Sequence, residues 1–579
     1  MFRKPLIIIL TIVVCLGCKK TIKVQPTNLV SGRNWDDSTN VQHISVLTQH
    51  NDNSRAGLND RETALNVDNV NTSHFGKLFL VTTDDDIYAQ PLVVGDLPMG
   101  AGRRNVLFVA TVSNTIYAYD ADNGKLFWNK NYTESGMLPP SAAQFTSPVW
   151  WCSPYTDFRN NIGIVGTPVI DSASKTMYFV ARSSGGNTSF VQYLHAIDIV
   201  TGAEQPGSPV QLKASVPGTG AGSSNGMVSF EPKLNNQRQG LVLANGVVFI
   251  SFASHCDLNP FHGWILGYDA KSLSQRYVYC DTPNGEEGGI WECGMGIAAD
   301  QQGNLYVTTG NGTVGAPTIY SPISNGSNEP QPSSNPADLT NRSESAVKLV
   351  TSGNTLAVSS FFTPTNYVDL NLNDLDYGVM GTFLIPHSNS YFTGCKDGNL
   401  YLLDKDNMGG YSPSGNSNKQ VIPFNSPLRS QPSYYNGGNV QSVYVWPESE
   451  SLHAFTINAG SGVLSEAQVF TPATPPQNFG ASLSVSSNGS KPGTGIVWAS
   501  YQENKLLSDG THINGYYAVY EGILRAFDAR NISKELWNSD MVSSDAVGGW
   551  AKFVSPTIAN GKVYVATFSN QLVVYGLKK

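Results

Sequence analysis

Two short stretches carry the residue types of acid–base chemistry. "SHCDLNPFHGW", residues 254–264, sets His255, Asp257 and His262 in one loop, and "NGEEGGIWECG", residues 284–294, adds Glu286, Glu287, Trp291 and Glu292. Imidazole and carboxylate groups within reach of each other can hold a divalent metal or exchange protons with a substrate. The histidine spacing matches no zinc pattern, and neither Cys-x-x-Cys nor Cys-x-x-Cys-His occurs, so no metal ligand is assigned. Glu292, Glu287, His255 and His262 stand as catalytic candidates, with hydrogen-bonded loop packing as the alternative for the histidines and solvated loop charge for the glutamates.

A second set has the chemistry of ligand binding. Gln90, Trp151, Trp291, Asp376, Lys396, Arg429, Trp550 and Lys552 fall in polar segments between apolar runs. Aromatic rings stack on the apolar faces of a sugar or another flat polar molecule, while amides and charges fix its orientation. "QHNDNSRAGLNDRE", residues 49–62, is a further polar cluster. Its Arg55 could grip a carboxylate or phosphate, or its Asx-turns could simply seat the N-terminal segment.

The segments that position these residues repeat. "AQPLVV", "VGTPVID", "GLVLANGVVFISFAS", "MGIAADQQGNLYVTTG", "GTFLIPHSNSYFTG", "SQPSYYNGGNVQSVYVW", "GASLSVSSNGSKPGTGIVWAS" and "VSPTIANGKVYVATF" each open a unit with strand-like runs. Second strand pairs follow several of them, as in "NTIYAYDADNGKLFW". The expectation is an all-β chain, an eight-bladed β-propeller of four-stranded antiparallel blades. The chain ends on the third strand of its last unit, so "GKLFLVTT", residues 76–83, is expected to close the ring as an N-terminal fourth strand. Long insertions gather between second and third strands and between blades, which marks one loop-rich face as the site.

Within "NTIYAYDADNGKLFW", the offsets of Ala118, Asp120, Gly124 and Trp128 resemble the tryptophan-docking repeat of quinoprotein-like propellers. Asp198 matches its first half, and Asp528 with Trp537 matches it with one extra residue. The resemblance implies that the Asp caps the turn between third and fourth strands and that the Trp packs between blades. The motif itself says nothing about a bound quinone; the count of eight blades favours a dehydrogenase with pyrroloquinoline quinone and calcium as cofactors, and the lack of an adjacent Cys-Cys pair and of a haem attachment motif counts against it. Propellers of this repeat type also serve as envelope assembly scaffolds. Binding of a glycan or an envelope protein, without turnover, is the preferred expectation; a quinoprotein dehydrogenase and a glycan-cleaving lyase or hydrolase are the alternatives.

Residues 1–18, "MFRKPLIIILTIVVCLGC", have the layout of an export signal, and Leu16-Gly17-Cys18 resembles the bacterial lipoprotein cleavage box. Cys18 is therefore expected to carry lipid and to anchor the chain in the bacterial cell envelope, at the periplasmic side, as in outer-membrane lipoproteins, or at the cell surface. Residues 19–42 read as a flexible tether and 43–579 as one propeller domain. Only 14% of residues are charged, against about 25% in ordinary soluble domains, which favours strands and turns over solvated helices. A net charge of -8 with no basic cluster beyond the N-terminus argues against nucleic acid as a partner. Beyond Cys15 and Cys18 five cysteines remain, and Cys280 with Cys293, flanking one loop, are the expected disulfide.

Overall fold

The computed structural model describes residues 42–578, except 146–154, 156, 318–320, 323–327, 330–332 and 507–518. The signal, Cys18, the tether as far as residue 41, and Trp151 lie outside the described residues.

Eight blades, each with four antiparallel strands, follow one another along the chain; Asn235–Asn236 adds a fifth strand to the sheet of blade three, and Leu58–Asn59 pairs parallel with the inner strand of blade seven. The first comprises Leu92–Met99, Gly102–Ala110, Thr115–Asp120 and Leu126–Asn131. The inner strands of the others begin at Val169, Val242, Ala298, Phe383, Ser433, Ser482 and Thr557. Every opening read from the sequence thus starts a blade. Phe75–Thr82 pairs antiparallel with Gln571–Leu577 as the outermost strand of blade eight, so the two ends of the propeller close the ring as expected.

The repeat residues do what the resemblance implies. The Asp120 carboxylate accepts from the Asp122 amide at 2.9 Å, Asp198 from Thr201 at 2.8 Å, and Asp528 from Arg530 at 3.0 Å. Trp128 faces Ala118 across its ladder and lies on the turn of blade two, where a Cβ added to Gly202 would fall 2.9 Å from the indole. Trp537 faces Ala526 in the same way, is fully buried, and meets the Phe75 and Tyr575 rings of blade eight at 5.0 and 5.4 Å.

Glutamine replaces the indole in two blades. Gln468, opposite Ala454, accepts from the Ile532 amide at 2.9 Å and donates to the Arg530 carbonyl at 2.8 Å in the next blade. Gln420 holds both backbone groups of Leu464 likewise, at 2.9 and 2.8 Å. A third device uses tyrosine: Tyr178 donates to Ala270 O at 2.8 Å, Tyr564 to Ala121 O at 3.1 Å, and Tyr444 to Ala529 O. Each accepting alanine directly follows a turn-capping aspartate, so one turn fixes its own shape and its neighbour's position.

The N-terminal segment lines the inside of the ring and bonds to the blades in order. Val46 exchanges backbone hydrogen bonds with Val93 of blade one at 2.8 and 3.0 Å, and Leu47 O accepts from Ile170 of blade two at 2.8 Å. Thr48 reaches Leu241 O of blade three at 3.3 Å. The carbonyls of Asn53, Ser54, Ala56 and Gly57 accept from Ala299, Leu384, Tyr434 and Val485 of blades four to seven at 2.7 to 3.0 Å. Asn59 donates to Ile558 O of blade eight at 2.8 Å. Arg55 is fully buried and donates to the carbonyls of Gln49, Gly296 and Ile297 at 2.8 to 3.2 Å, so the polar cluster at 49–62 seats this segment.

The expected Cys280–Cys293 disulfide is not formed; both are free, buried thiols, as is Cys395, whereas Cys256 is disulfide-bonded. Cys280 ends the outermost strand of blade three, and Cys293 lies in the axial turn before blade four. Their loop spans the radius of the ring instead of folding back, which separates the two sulfurs.

Gln468→Ala is expected to cost about 1–3 kcal/mol in a denaturant titration, because it strands the amide of Ile532 and the carbonyl of Arg530 between blades. A loss below about 0.5 kcal/mol would reject glutamine docking as a stabilising contact.

Candidate functional site

The inter-blade loops converge on a cavity of about 300 Å³ at the loop-rich mouth of the channel. One position of the repeat builds its wall. Tyr88, Val165, Arg238 and Gly294 each stand four residues before the inner strand of blades one to four. Val379, Arg429 and Phe553 do so for blades five, six and eight, and Phe479 stands three before blade seven. All eight blades therefore contribute to one axial site.

One pole of the cavity is cationic and aromatic. The Arg238 guanidinium lies 4.7 Å from the Phe553 ring centroid and 5.6 Å from that of Trp291, the geometry of cation–π contact. Among the described residues no carboxylate forms an ion pair with it. Lys552 Nζ lies 5.5 Å from the Phe479 centroid and 3.9 Å from Asp157, and the Arg429 guanidinium lies 5.8 Å from Phe479 and 3.3 Å from Glu448. Burial lowers the pKa of Lys552; Asp157 opposes that shift and Arg238 adds to it.

The other pole is acidic. Lys396 Nζ bridges Asp376 at 2.5 Å and Asp374 at 2.8 Å. Burial disfavours its charge, but the two carboxylates outweigh burial and raise its pKa. Asp257 shares this pole, and burial followed by the charges of Asp374 and Asp376 pushes its carboxyl up to about 8. Behind them, Asn311 donates its amide N–H to Asp376 and its side-chain NH₂ to Asp374, both at 2.9 Å. The floor is the turn Trp291–Gly294, whose Cys293 carbonyl accepts from Gln431 at 2.7 Å.

Five of the eight ligand-binding candidates line the cavity, Trp291, Asp376, Lys396, Arg429 and Lys552, as does Asp257 of the 254–264 loop. Trp550 sits behind the wall, its ring 6.3 Å from Phe479. Gln90 does not reach the cavity; it accepts from the His50 amide at 2.9 Å and donates to Thr557 at 3.0 Å, seating the N-terminal segment. Arg238, Phe479 and Phe553 were not singled out, though their distance from a strand opening matches that of Arg429 to within one residue.

The four acid–base candidates lie outside this lining. His255 is fully buried between Tyr155 at 3.0 Å and Arg182 at 2.5 Å, and burial with the arginine's charge holds its pKa well below the usual value. His262 bridges Thr282 and Ala221 O at 2.8 and 2.9 Å, while Glu287 accepts from Asn259 at 2.8 Å. Glu292 is fully buried beneath the floor and accepts from the Thr308 amide at 3.1 Å. Burial raises its carboxyl to about 8 against the hydrogen bonds from Thr308 and the charge of Arg55.

No protein-family model and no curated protein matches this sequence. Solved structures match over most of the chain. The quinohemoprotein alcohol dehydrogenase ADHIIG from Pseudomonas putida HK5 superposes with a TM-score of 0.56 at 13% identity, covering 92% of this chain and 80% of that one. The quinohemoprotein alcohol dehydrogenase from Comamonas testosteroni gives 0.55 at 13% identity over the same shares. A europium-containing methanol dehydrogenase gives 0.54 at 10% identity, covering 92% of this chain and 98% of that one. The chain shares the eight-bladed propeller architecture of these quinoprotein dehydrogenases.

Glu292 makes the stability of the ring depend on pH. Its folded pKa of about 8 exceeds the ordinary 4.5, so its contribution is fully present below about 4.5 and is lost as pH rises toward 8. In unfolding titrations Glu292→Gln is expected to flatten a fall in stability of up to about 1.4 kcal/mol per pH unit across that window. An unchanged slope in the variant would contradict a neutral Glu292.

Proposed function

We propose that the axial cavity binds a small, flat ligand carrying at least one carboxylate. Arg238 carries this reading: a guanidinium held between two aromatic rings, with no carboxylate ion-paired to it among the described residues, in a cavity also lined by Lys552 and Arg429. A ligand carboxylate supplies the missing acceptor, bidentately if it meets the planar fork. Trp291 and Phe553 offer faces for a flat frame, and the acidic pole accepts hydroxyl groups at its far edge. An acidic sugar meets these demands, which narrows the glycan reading to a charged one.

Pyrroloquinoline quinone with calcium is a second reading. The likeness to quinoprotein structures raises it, and Asn311 favours it: its side-chain oxygen is buried without a hydrogen-bond partner beside Asp374 and Asp376. Hard oxygen donors of this kind suit calcium. The anionic quinone fits the cationic and aromatic pole. The calcium fits less well, because Lys396 already pairs with both Asp374 and Asp376, and among the described residues no three His, Cys, Asp or Glu side chains group closely enough to hold a metal. The residues present thus satisfy half of that cofactor pair, and the reading ranks second.

The same proposal places the protein in the bacterial cell envelope, anchored through lipid at Cys18, with a glycan or an envelope protein as partner. Its support is the basic residues Arg3 and Lys4, the apolar run from Leu6 to Leu16, and the Leu16-Gly17-Cys18 box. No helix among the described residues is long and apolar enough to cross a membrane.

Thermal-shift titration with galacturonate, glucose, pyrroloquinoline quinone, and the quinone with calcium separates the readings. The expected result is stabilisation by galacturonate but not glucose, abolished by Arg238→Gln; a ligand at 100 times its dissociation constant contributes about 2.7 kcal/mol. A shift that requires quinone and calcium together would replace the first reading with the second. Equal shifts in Arg238→Gln would reject carboxylate binding at this pole.

A further inference from the structure

The cavity holds two lysines in unlike surroundings. Lys396 is clamped by two carboxylates at 2.5 and 2.8 Å and is a fixed positive charge. Lys552 is 9% exposed and packs over Phe479, and its one carboxylate within 4 Å among the described residues is Asp157, 3.9 Å away with its side chain 41% exposed. Phe553 follows Lys552 in sequence and lies beneath the Arg238 guanidinium, which brings a second cation close to the amine. A lysine confined against aromatic rings beside another cation gives up its proton more readily and becomes a nucleophile. Burial and the charge of Arg238 both act in that direction here, against Asp157.

Building on the carboxylate-binding reading, we propose that Lys552 captures covalently a ligand that bears both a carboxylate and an aldehyde or ketone carbonyl, with the carboxylate resting on Arg238. Small oxo acids and the open-chain forms of acidic sugars make up this class. The Lys552 nitrogen lone pair adds to the carbonyl carbon, and the carbonyl oxygen takes up the proton that the nitrogen loses, giving a carbinolamine. The new hydroxyl then leaves as water with one further proton as the C=N bond forms. Amine and carbonyl thus become imine and water, and no oxidant or reductant enters. Lys396 cannot take this part, because its proton is held by Asp374 and Asp376.

The test treats the intact folded protein at pH 7 with glyoxylate and cyanoborohydride, which reduces an imine to a stable amine, and maps the modified lysines by mass spectrometry over time. Lys552 is expected to react several-fold faster than the exposed Lys125 and Lys534, because burial and the charge of Arg238 favour its free amine. Lys552→Arg keeps the charge and is expected to remove the fast-labelled site. Butanal, which lacks the carboxylate, separates the two claims. Fast labelling by glyoxylate alone supports both; fast labelling by both aldehydes supports the reactive amine and counts against carboxylate binding at Arg238. Labelling of Lys552 no faster than Lys125 with either aldehyde overturns the inference, while the galacturonate titration still decides the binding reading.

Discussion

A propeller must solve a hydrogen-bonding problem at its axis. The inner edge of each blade presents backbone N–H and C=O groups toward a narrow channel, and unpaired groups there cost free energy once water is excluded. In this protein the chain itself supplies the partners. Residues 46–59 bond to the inner strands of all eight blades in order, and Arg55 gathers carbonyls of residues 49, 296 and 297. The guanidinium suits this place because it offers five donors in a plane and has no acceptor to satisfy. With the outer strand Phe75–Thr82 completing blade eight, one N-terminal stretch seals the ring from inside and outside.

That seal leaves the loop-rich mouth as the place for chemistry. Because one repeat position supplies the wall, the site is assembled from residues hundreds of positions apart, each aimed by the strand that follows it. Departures between blades then become useful: the same position holds Tyr88 in one blade, Arg238 and Arg429 in two others and Phe553 in a fourth, with Phe479 one residue nearer its strand. The result is a cavity with separate cationic and acidic poles, which orients an asymmetric ligand more strictly than a uniform lining would.

The sequence made the ring legible because a repeat presents its evidence eight times. The apolar openings could each be read against seven parallels, the Asp-capped turn was legible in three units, and the closing strand at 76–83 followed from the last unit's missing fourth strand; the observed strand, Phe75–Thr82, starts one residue earlier. The mouth was legible where a residue preceded an opening, as with Arg429 and Lys552. Gln90 obeyed the same rule and failed as a site residue, because its partners are His50 and Thr557, and nothing local announces a bond to residues 40 and 467 positions away. The histidines and glutamates of the 254–264 and 284–294 loops misled for a related reason. Their residue types suit catalysis, but a loop that crosses a radius of the ring must bury polar groups, and His255, His262, Glu287 and Glu292 bond to Tyr155, Arg182, Thr282, Asn259, Thr308 and the backbone rather than to a ligand-facing surface.

The floor of the cavity shows how the seal and the site depend on each other. Glu292 and Cys293 adopt left-handed backbone angles, φ 44° and 41°, which non-glycine residues avoid at a cost of about 1–3 kcal/mol each. Such a turn persists only where its surroundings over-determine it. Gln431 holds the Cys293 carbonyl from above, Thr308 holds the Glu292 carboxyl from the side, and Arg55 pins the next carbonyls at Gly296 and Ile297. The first of these restraints comes from the entry to blade six, the second from blade four itself and the third from the N-terminal segment. The strained turn, in exchange, directs Trp291 into the cavity and leaves the Glu292 carboxyl beneath it. One short turn thus joins the wall of the cavity at Trp291 to the packing of Arg55 in the N-terminal segment.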